Sequence, residues 1–276
     1  MRVGLIQLNS SDDPISNISS TCELVQNAAA QGAEFILTPE VTNCVSASRT
    51  RQAEVLVAEG DDQTLASLRA EAKRNGVWIL IGSLALSDPS GDGRSVNRSF
   101  LISPSGNIDA RYDKMHMFDV TISESESYRE SAGYRPGSSA VLAEVAGVAV
   151  GLTVCYDLRF PYLYRSLAQA GAQIITIPSA FAPETGAAHW EVLLRARAIE
   201  TGSFVLAPAQ CGNHSATRGK SRQTYGHSMA VDPWGAILVD GGEFPGATLV
   251  DLDLKAVDDA RRRIPSLTHD RMYRPD

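Results

Sequence analysis

Cys155 closes an apolar run, "GLTVC", and Asp157, Arg159 and Pro161 follow within six residues. Such a run is expected to be a buried strand, so a thiol would stand where the chain leaves the core, with charge directly behind it. Cysteine often serves as a small buried hydrophobe. As a nucleophile it acts only as thiolate and needs a base or a cation close by. Five histidines are available, His116, His189, His214, His227 and His269, but none falls in an evident strand-end loop facing Cys155. Two other residues are better placed. Glu40 follows "EFILTP", where Pro39 ends a strand and directs the carboxylate beyond its edge; taken alone it could be an ordinary loop acid. Lys114, in "YDKMHMFD", lies between apolar residues and is either a snorkelling side chain or a buried cation. The four cysteines form no CxxC pair and no histidine spacing suits a metal, so neither a metal nor another cofactor is expected.

The elements that must position these residues alternate. "VGLIQL", "EFILTPE" and "VWILIGSLAL" read as strands, and "NISSTCELVQNAAAQGA" and "TLASLRAEAKRNG" read as helices, which indicates an α/β fold. Gly32, Gly76, Gly171 and Gly202 stand where left-handed helix caps are expected. The chain also echoes itself. "VGLIQL" (3–8) matches "VGLTVC" (150–155), and "AAQGAEFILTPE" (29–40) matches "AQAGAQIITIPSA" (168–180). "NGVWILIGSLAL" (75–86) matches "TGSFVLAPAQCG" (201–212), and the turn "SPSGNI" (103–108) matches "DPWGAI" (232–237). The order is the same in both halves, so two similar α-β units of roughly 130 to 145 residues are expected. Their sheets could pack face to face with helices outside, a four-layer αββα sandwich. Glu40 and Cys155 would then lie just beyond C-terminal strand ends, where α/β proteins build sites. The segment 121–139, "TISESESYRESAGYRPGSS", reads as a long surface loop of a length that is often functional.

Of the 276 residues 43% are hydrophobic and 21% charged, enough to bury a sizeable core. A formal net charge of -7 argues against non-specific nucleic-acid binding. No apolar run reaches the roughly 18 residues needed to span a bilayer, and the first residues lack the long apolar stretch of a secretory peptide. A reducing, cytoplasmic setting is the expectation.

"TPE" (38–40), "YDKMHMFDV" (112–120) and "CYDLRFP" (155–161) resemble, in order and spacing, the three signature segments of the nitrilase superfamily of carbon-nitrogen hydrolases. The resemblance runs from "VGLIQLN" to "RIPSLTHD", so 1–276 is expected to be a single hydrolase domain. It implies the αββα sandwich, a homodimer paired through helices, and a Glu-Lys-Cys triad carried here onto Glu40, Lys114 and Cys155. "SYRES" resembles the segment holding a further glutamate, which makes Glu130 the candidate and Glu124 and Glu126 weaker ones. In this chemistry burial raises the carboxyl, the ammonium favours the thiolate, and Glu40 relays the Cys155 proton. The Lys114 ammonium and the Tyr156 backbone N–H would face the oxyanion. "SAFAPETGAAHWEVLLRARAIETGSFVLAPAQCG" is most similar to the amidases that act on deaminated glutathione, with the ω-amidases of α-ketoglutaramate and succinamate close by. Such substrates carry a carboxylate, which Arg159 could bind bidentately unless it pairs structurally with Asp157 or Glu184. Thr185 resembles a substrate-side threonine, while Arg195 and Arg197 are expected to brace a helix or a partner subunit. A nitrilase, or a silent binding module, is the alternative.

Overall fold

A computed structural model of the chain describes residues 1–89, 91–121 and 127–274. The first half runs β1 (Arg2–Gln7), α1 (Pro14–Ala30), β2 (Phe35–Leu37), α2 (Arg49–Val55), α3 (Gln63–Asn75), β3 (Trp78–Leu86), β4 (Val96–Ile102) and β5 (Ile108–Asp113). A short ribbon follows, β6 (Asp119–Thr121) and β7 (Ser127–Arg129). The second half continues with β8 (Val141–Val145), β9 (Val148–Leu152), α4 (Pro161–Gln169), β10 (Ile174–Thr176), α5 (Pro183–Thr201) and β11 (Phe204–Ala207). A hairpin, β12 (Cys211–Asn213) and β13 (Gln223–Tyr225), precedes β14 (Met229–Val231), β15 (Ile237–Asp240), β16 (Gly246–Asp251) and α6 (Lys255–Arg263).

The helix boundaries follow from local chemistry. Asp13 and Asp62 cap α1 and α3, their carboxylates accepting from the Ile15 and Leu65 N–H groups. Prolines occupy the first turns of α1, α4 and α5, where a missing N–H costs nothing. Gly76 and Gly202 end α3 and α5 at φ +66° and +55°.

One sheet has the order β16-β1-β2-β3-β4-β5 and the other β15-β14-β11-β10-β9-β8. Each holds three parallel strands flanked by antiparallel ones, and the echoed segments occupy equivalent places: β1 with β9, β2 with β10, β3 with β11. Alternation along the strands divides the core. Val3, Leu5, Phe35 and Leu37 pack with Val150, Leu152 and Ile174 of the facing sheet. Ile6, Ile36, Ile79 and Ile81 turn the other way, onto Val25 and Ala28 of α1 and Leu65 and Leu68 of α3. The layers are therefore helix, sheet, sheet, helix, as expected. The strand beyond β1 comes from the far end of the chain: β16 pairs antiparallel with it, Arg2 opposite Asp251. Where the two halves abut, Gly82 admits no side chain. A Cβ there would lie 2.1 Å from the Thr38 carbonyl oxygen and 2.4 Å from Pro178.

Candidate active site

Glu40 and Cys155 stand beyond the ends of β2 and β9, and Lys114 directly after β5. These strands belong to both sheets, so the face-to-face packing brings the three side chains to one cavity of about 420 Å³. Glu130, Tyr156 and Thr185 line it as well. Glu124 and Glu126 lie outside the described residues.

Lys114 is a buried cation, 2% exposed, and not a snorkelling one. Its Nζ donates to Glu40 Oε1 at 2.8 Å and to the Glu130 oxygens at 2.9 and 2.8 Å. Glu130 also accepts from the Phe118 N–H at 2.6 Å, which ties the ribbon β6–β7 to the site. Asn97, on β4, donates from Nδ2 to Glu40 at 3.0 Å and to Glu130 at 3.4 Å. It helps Lys114 bridge the two acids, and sequence reading missed it; the available signal was a polar residue at a buried strand position.

Cys155 has φ +49°, a left-handed conformation that costs a non-glycine residue about 1–2 kcal/mol. Two contacts hold it. Its N–H donates to Pro178 O at 3.0 Å, and Asp157 accepts from the Val154 N–H at 2.8 Å. Asp157, fully buried, also accepts from the Tyr112 hydroxyl at 2.6 Å and the His116 N–H at 3.1 Å. One carboxylate thus clamps the turn bearing the thiol to the segment bearing Lys114. Among the described residues no acceptor pairs with the Tyr156 N–H, the amide next to the thiol.

The electrostatics depart from expectation in sign. Burial raises the Glu40 carboxyl, but the adjoining Lys114 charge and hydrogen bond outweigh it, so the group lies below its ordinary range. Burial raises the Cys155 thiol and the Glu40 carboxylate raises it further, with Lys114 opposing both and losing. Burial works against the Lys114 ammonium, yet Glu130 and Glu40 hold its proton well above the usual range. The resting site is therefore carboxylate, ammonium and thiol. Glu40 is ready to take a proton and Cys155 still has one to give.

Among the described residues no histidine lines the cavity. Arg159 is not itself a lining residue, but the Tyr156 and Phe181 rings over which it lies both line the cavity. Cys155–Arg159 forms a 3-10 turn, in which side chains three apart eclipse. The Arg159 guanidinium accordingly lies over the Tyr156 ring at 5.9 Å, and over Phe181 at 5.7 Å. Its hydrogen-bond partner is His189 Nδ1 at 3.3 Å, not Asp157 or Glu184. Arg197 braces the turn, donating twice to Leu158 O at 2.9 and 2.7 Å, and Arg195 holds Gly235 O at 2.9 Å.

A family model described as carbon-nitrogen hydrolase matches residues 2–262. The chain belongs to the carbon-nitrogen hydrolase family. It is 39% identical over 272 residues to a deaminated glutathione amidase of Yersinia enterocolitica, covering 98% of this chain and 92% of that one. The C. elegans NitFhit protein superposes with a TM-score of 0.90 at 33% identity; the match covers 98% of this chain and 65% of that longer one. An amidase variant from Nesterenkonia sp. AN1, carrying acrylamide added to its active-site cysteine, gives a TM-score of 0.78 at 28% identity, with 96% and 98% covered. The carbon-nitrogen hydrolase described here is accordingly an amidase of the nitrilase superfamily. Among the described residues no helix is long and apolar enough to cross a membrane.

Proposed function

We propose that this hydrolase, as one domain over 1–276, cleaves the amide C–N bond of a small carboxylate-bearing amide through a Cys155 thioester. The observation that carries the reading is Lys114 buried between Glu40 and Glu130 in the cavity that also holds Cys155. Glu40 takes the thiol proton as sulfur attacks the carbonyl carbon. The oxyanion forms against the Lys114 ammonium and the Tyr156 N–H, and each such donor contributes about 3 kcal/mol in the transition state. The C–N bond breaks as Glu40 returns the proton to the departing nitrogen. Water, deprotonated by Glu40, then attacks the thioester, and the acid leaves with the thiol restored. Glu130, with two bonds to Lys114, orients that ammonium, and Thr185 on the cavity wall contacts substrate.

Deaminated glutathione is the first substrate to test, because it is the one in the relatives' names. The ω-amides α-ketoglutaramate and succinamate share its carboxylate and are the second. An intact Glu40, Lys114 and Cys155 constellation disfavours a silent binding module. A homodimer through α5 is supported by Val192 and Ile199, 66% and 54% exposed on its outer face. Four free thiols accord with a cytoplasmic location. Amide cleavage by wild type and Cys155→Ala, with intact-protein mass spectrometry for the acyl adduct, tests the mechanism. Equal rates in the two proteins would exclude Cys155 as the nucleophile.

A further inference from the structure

We infer that Gln210 positions the catalytic acid: from the link between β11 and β12 it holds the strained turn that carries Glu40, and so fixes the carboxylate that exchanges a proton with Cys155. This rests on the hydrolase reading above and adds to it a residue that touches none of the reacting atoms.

The turn is strained at Val41, directly after Glu40, where φ is +47°. A β-branched side chain in the left-handed region is a true outlier, and such a conformation persists only where the surroundings over-determine it. Cys155 at φ +49° shows the same feature, so acid and nucleophile both stand at strained backbone. Three groups of the first half hold the Glu40 turn. Ser83 Oγ accepts from the Val41 N–H at 2.8 Å, Thr42 Oγ1 donates to Pro39 O at 2.8 Å, and Ser10 Oγ donates to Thr42 O at 2.9 Å. Among the described residues the Glu40 carbonyl is met by Gln210 alone, 170 residues on, whose Nε2 donates to it at 3.1 Å. The same nitrogen reaches Val41 O at 3.5 Å and Ser10 Oγ at 3.0 Å, and Oε1 accepts from the Ser10 N–H at 3.1 Å. The amide stands one way round, since the Ser10 N–H needs an oxygen and the Glu40 carbonyl needs a donor. Gln210 is fully buried and lies outside the cavity lining. Its own backbone is pinned on both sides, its N–H donating to Ser179 O at 2.9 Å and its carbonyl accepting from the Gly226 N–H at 3.0 Å.

Without that amide the Glu40 carbonyl and the Ser10 N–H are left buried and unpaired, and Val41 is free to fall into an ordinary conformation. The change would turn the Glu40 side chain away from Lys114, which its Oε1 meets at 2.8 Å. Displacing a reacting group by about 1 Å costs on the order of 10²-fold in rate.

The test replaces Gln210 by Met, which is of similar length but has no amide, and follows succinamate hydrolysis. In Gln210→Met kcat should fall on the order of 30- to 100-fold with KM nearly unchanged, because residue 210 does not reach the cavity. In a Val41→Gly background the left-handed conformation carries no steric cost, and there Gln210→Met should lower kcat only a few-fold. A crystal structure of Gln210→Met should show Val41 at negative φ and Glu40 Oε1 beyond hydrogen-bond reach of Lys114. Equal losses in the two backgrounds, a loss confined to KM, or an unmoved Val41 and Glu40 in that structure overturns the inference. Gln210→Asn, one methylene shorter, takes the place of the Met variant if the latter does not fold, with the same cycle and the same outcomes. Absence of Cys155-dependent ammonia release in the wild type would instead sink the hydrolase reading, and the crystal structure would still decide whether Gln210 holds the turn.

Discussion

Replacing Lys114 by Met removes the charge and keeps an unbranched apolar side chain. Two carboxylates, 5% and 15% exposed, then share a pocket with no cation between them. Removing one partner of a buried pair costs about 3–5 kcal/mol, so the variant should be clearly less stable than wild type near neutral pH. The sign of its pH dependence follows from Glu40. In wild type that carboxyl lies below its ordinary range, so its contribution is present above the unfolded value and is lost as pH falls through the folded one. Without Lys114, burial outweighs the smaller opposing effects of the Cys155 hydrogen bond and the Arg222 charge and raises the carboxyl; a raised acid binds its proton more tightly folded than unfolded, so stability declines as pH rises. The gap between the two proteins should therefore be wider at pH 8 than at pH 5, measured by urea denaturation. Acyl-enzyme formation should fall by about 10²–10³, the effect of losing one oxyanion donor. A normal rate of thioester accumulation by rapid-quench mass spectrometry would remove Lys114 from that role. A pH-independent gap would refute the assignment of Glu40 as the group it holds down.

Asp157→Asn keeps the shape but offers a single acceptor oxygen where Tyr112, Val154 and His116 all donate. The cost should be about 2–3 kcal/mol, with a lower thermal midpoint and a lower kcat, because the turn of Cys155 and the segment of Lys114 lose their common anchor. Unchanged kcat would show that the clamp does not position the thiol. Arg159→Ala should lower kcat/KM for succinamate on the order of 30-fold more than for butyramide, which has a methyl group in place of the carboxylate, because a half-buried guanidinium without a carboxylate partner lies on the cavity-lining rings of Tyr156 and Phe181. An equal drop for both amides would show that Arg159 serves packing alone.

Glu40 and Cys155 were legible as candidates because each stands at the end of an apolar run, and Lys114 because it follows a strand-like segment among apolar residues; only the resemblance of the three segments to the nitrilase superfamily joined them into one expected triad. The echo was legible for a related reason: the matched segments are the parallel strands and the outer hairpin of each sheet, whose burial dictates their composition. The pairing of β16 with β1 was not, since nothing local ties Asp251 to Arg2 across the length of the chain. The segment 121–139, read as loop, contains β7, because the partner that makes it a strand lies across the ribbon in β6.

Arg159 shows how a turn settles where a side chain goes. The 3-10 turn puts residue 159 over residue 156, so the guanidinium lies on the rings of Tyr156 and Phe181, with His189 as its hydrogen-bond partner. Arg222 sits in "SATRGKSRQTYG", a stretch that reads as solvated loop, and only the hairpin of β12 with β13 carries it to Ala180. Lys114 is already paired with two acids, and a cation so engaged is poorly suited to hold a substrate carboxylate as well. Under the proposed cleavage of anionic amides that contact falls to another cation, and substituting it should alter selectivity while sparing most of catalysis.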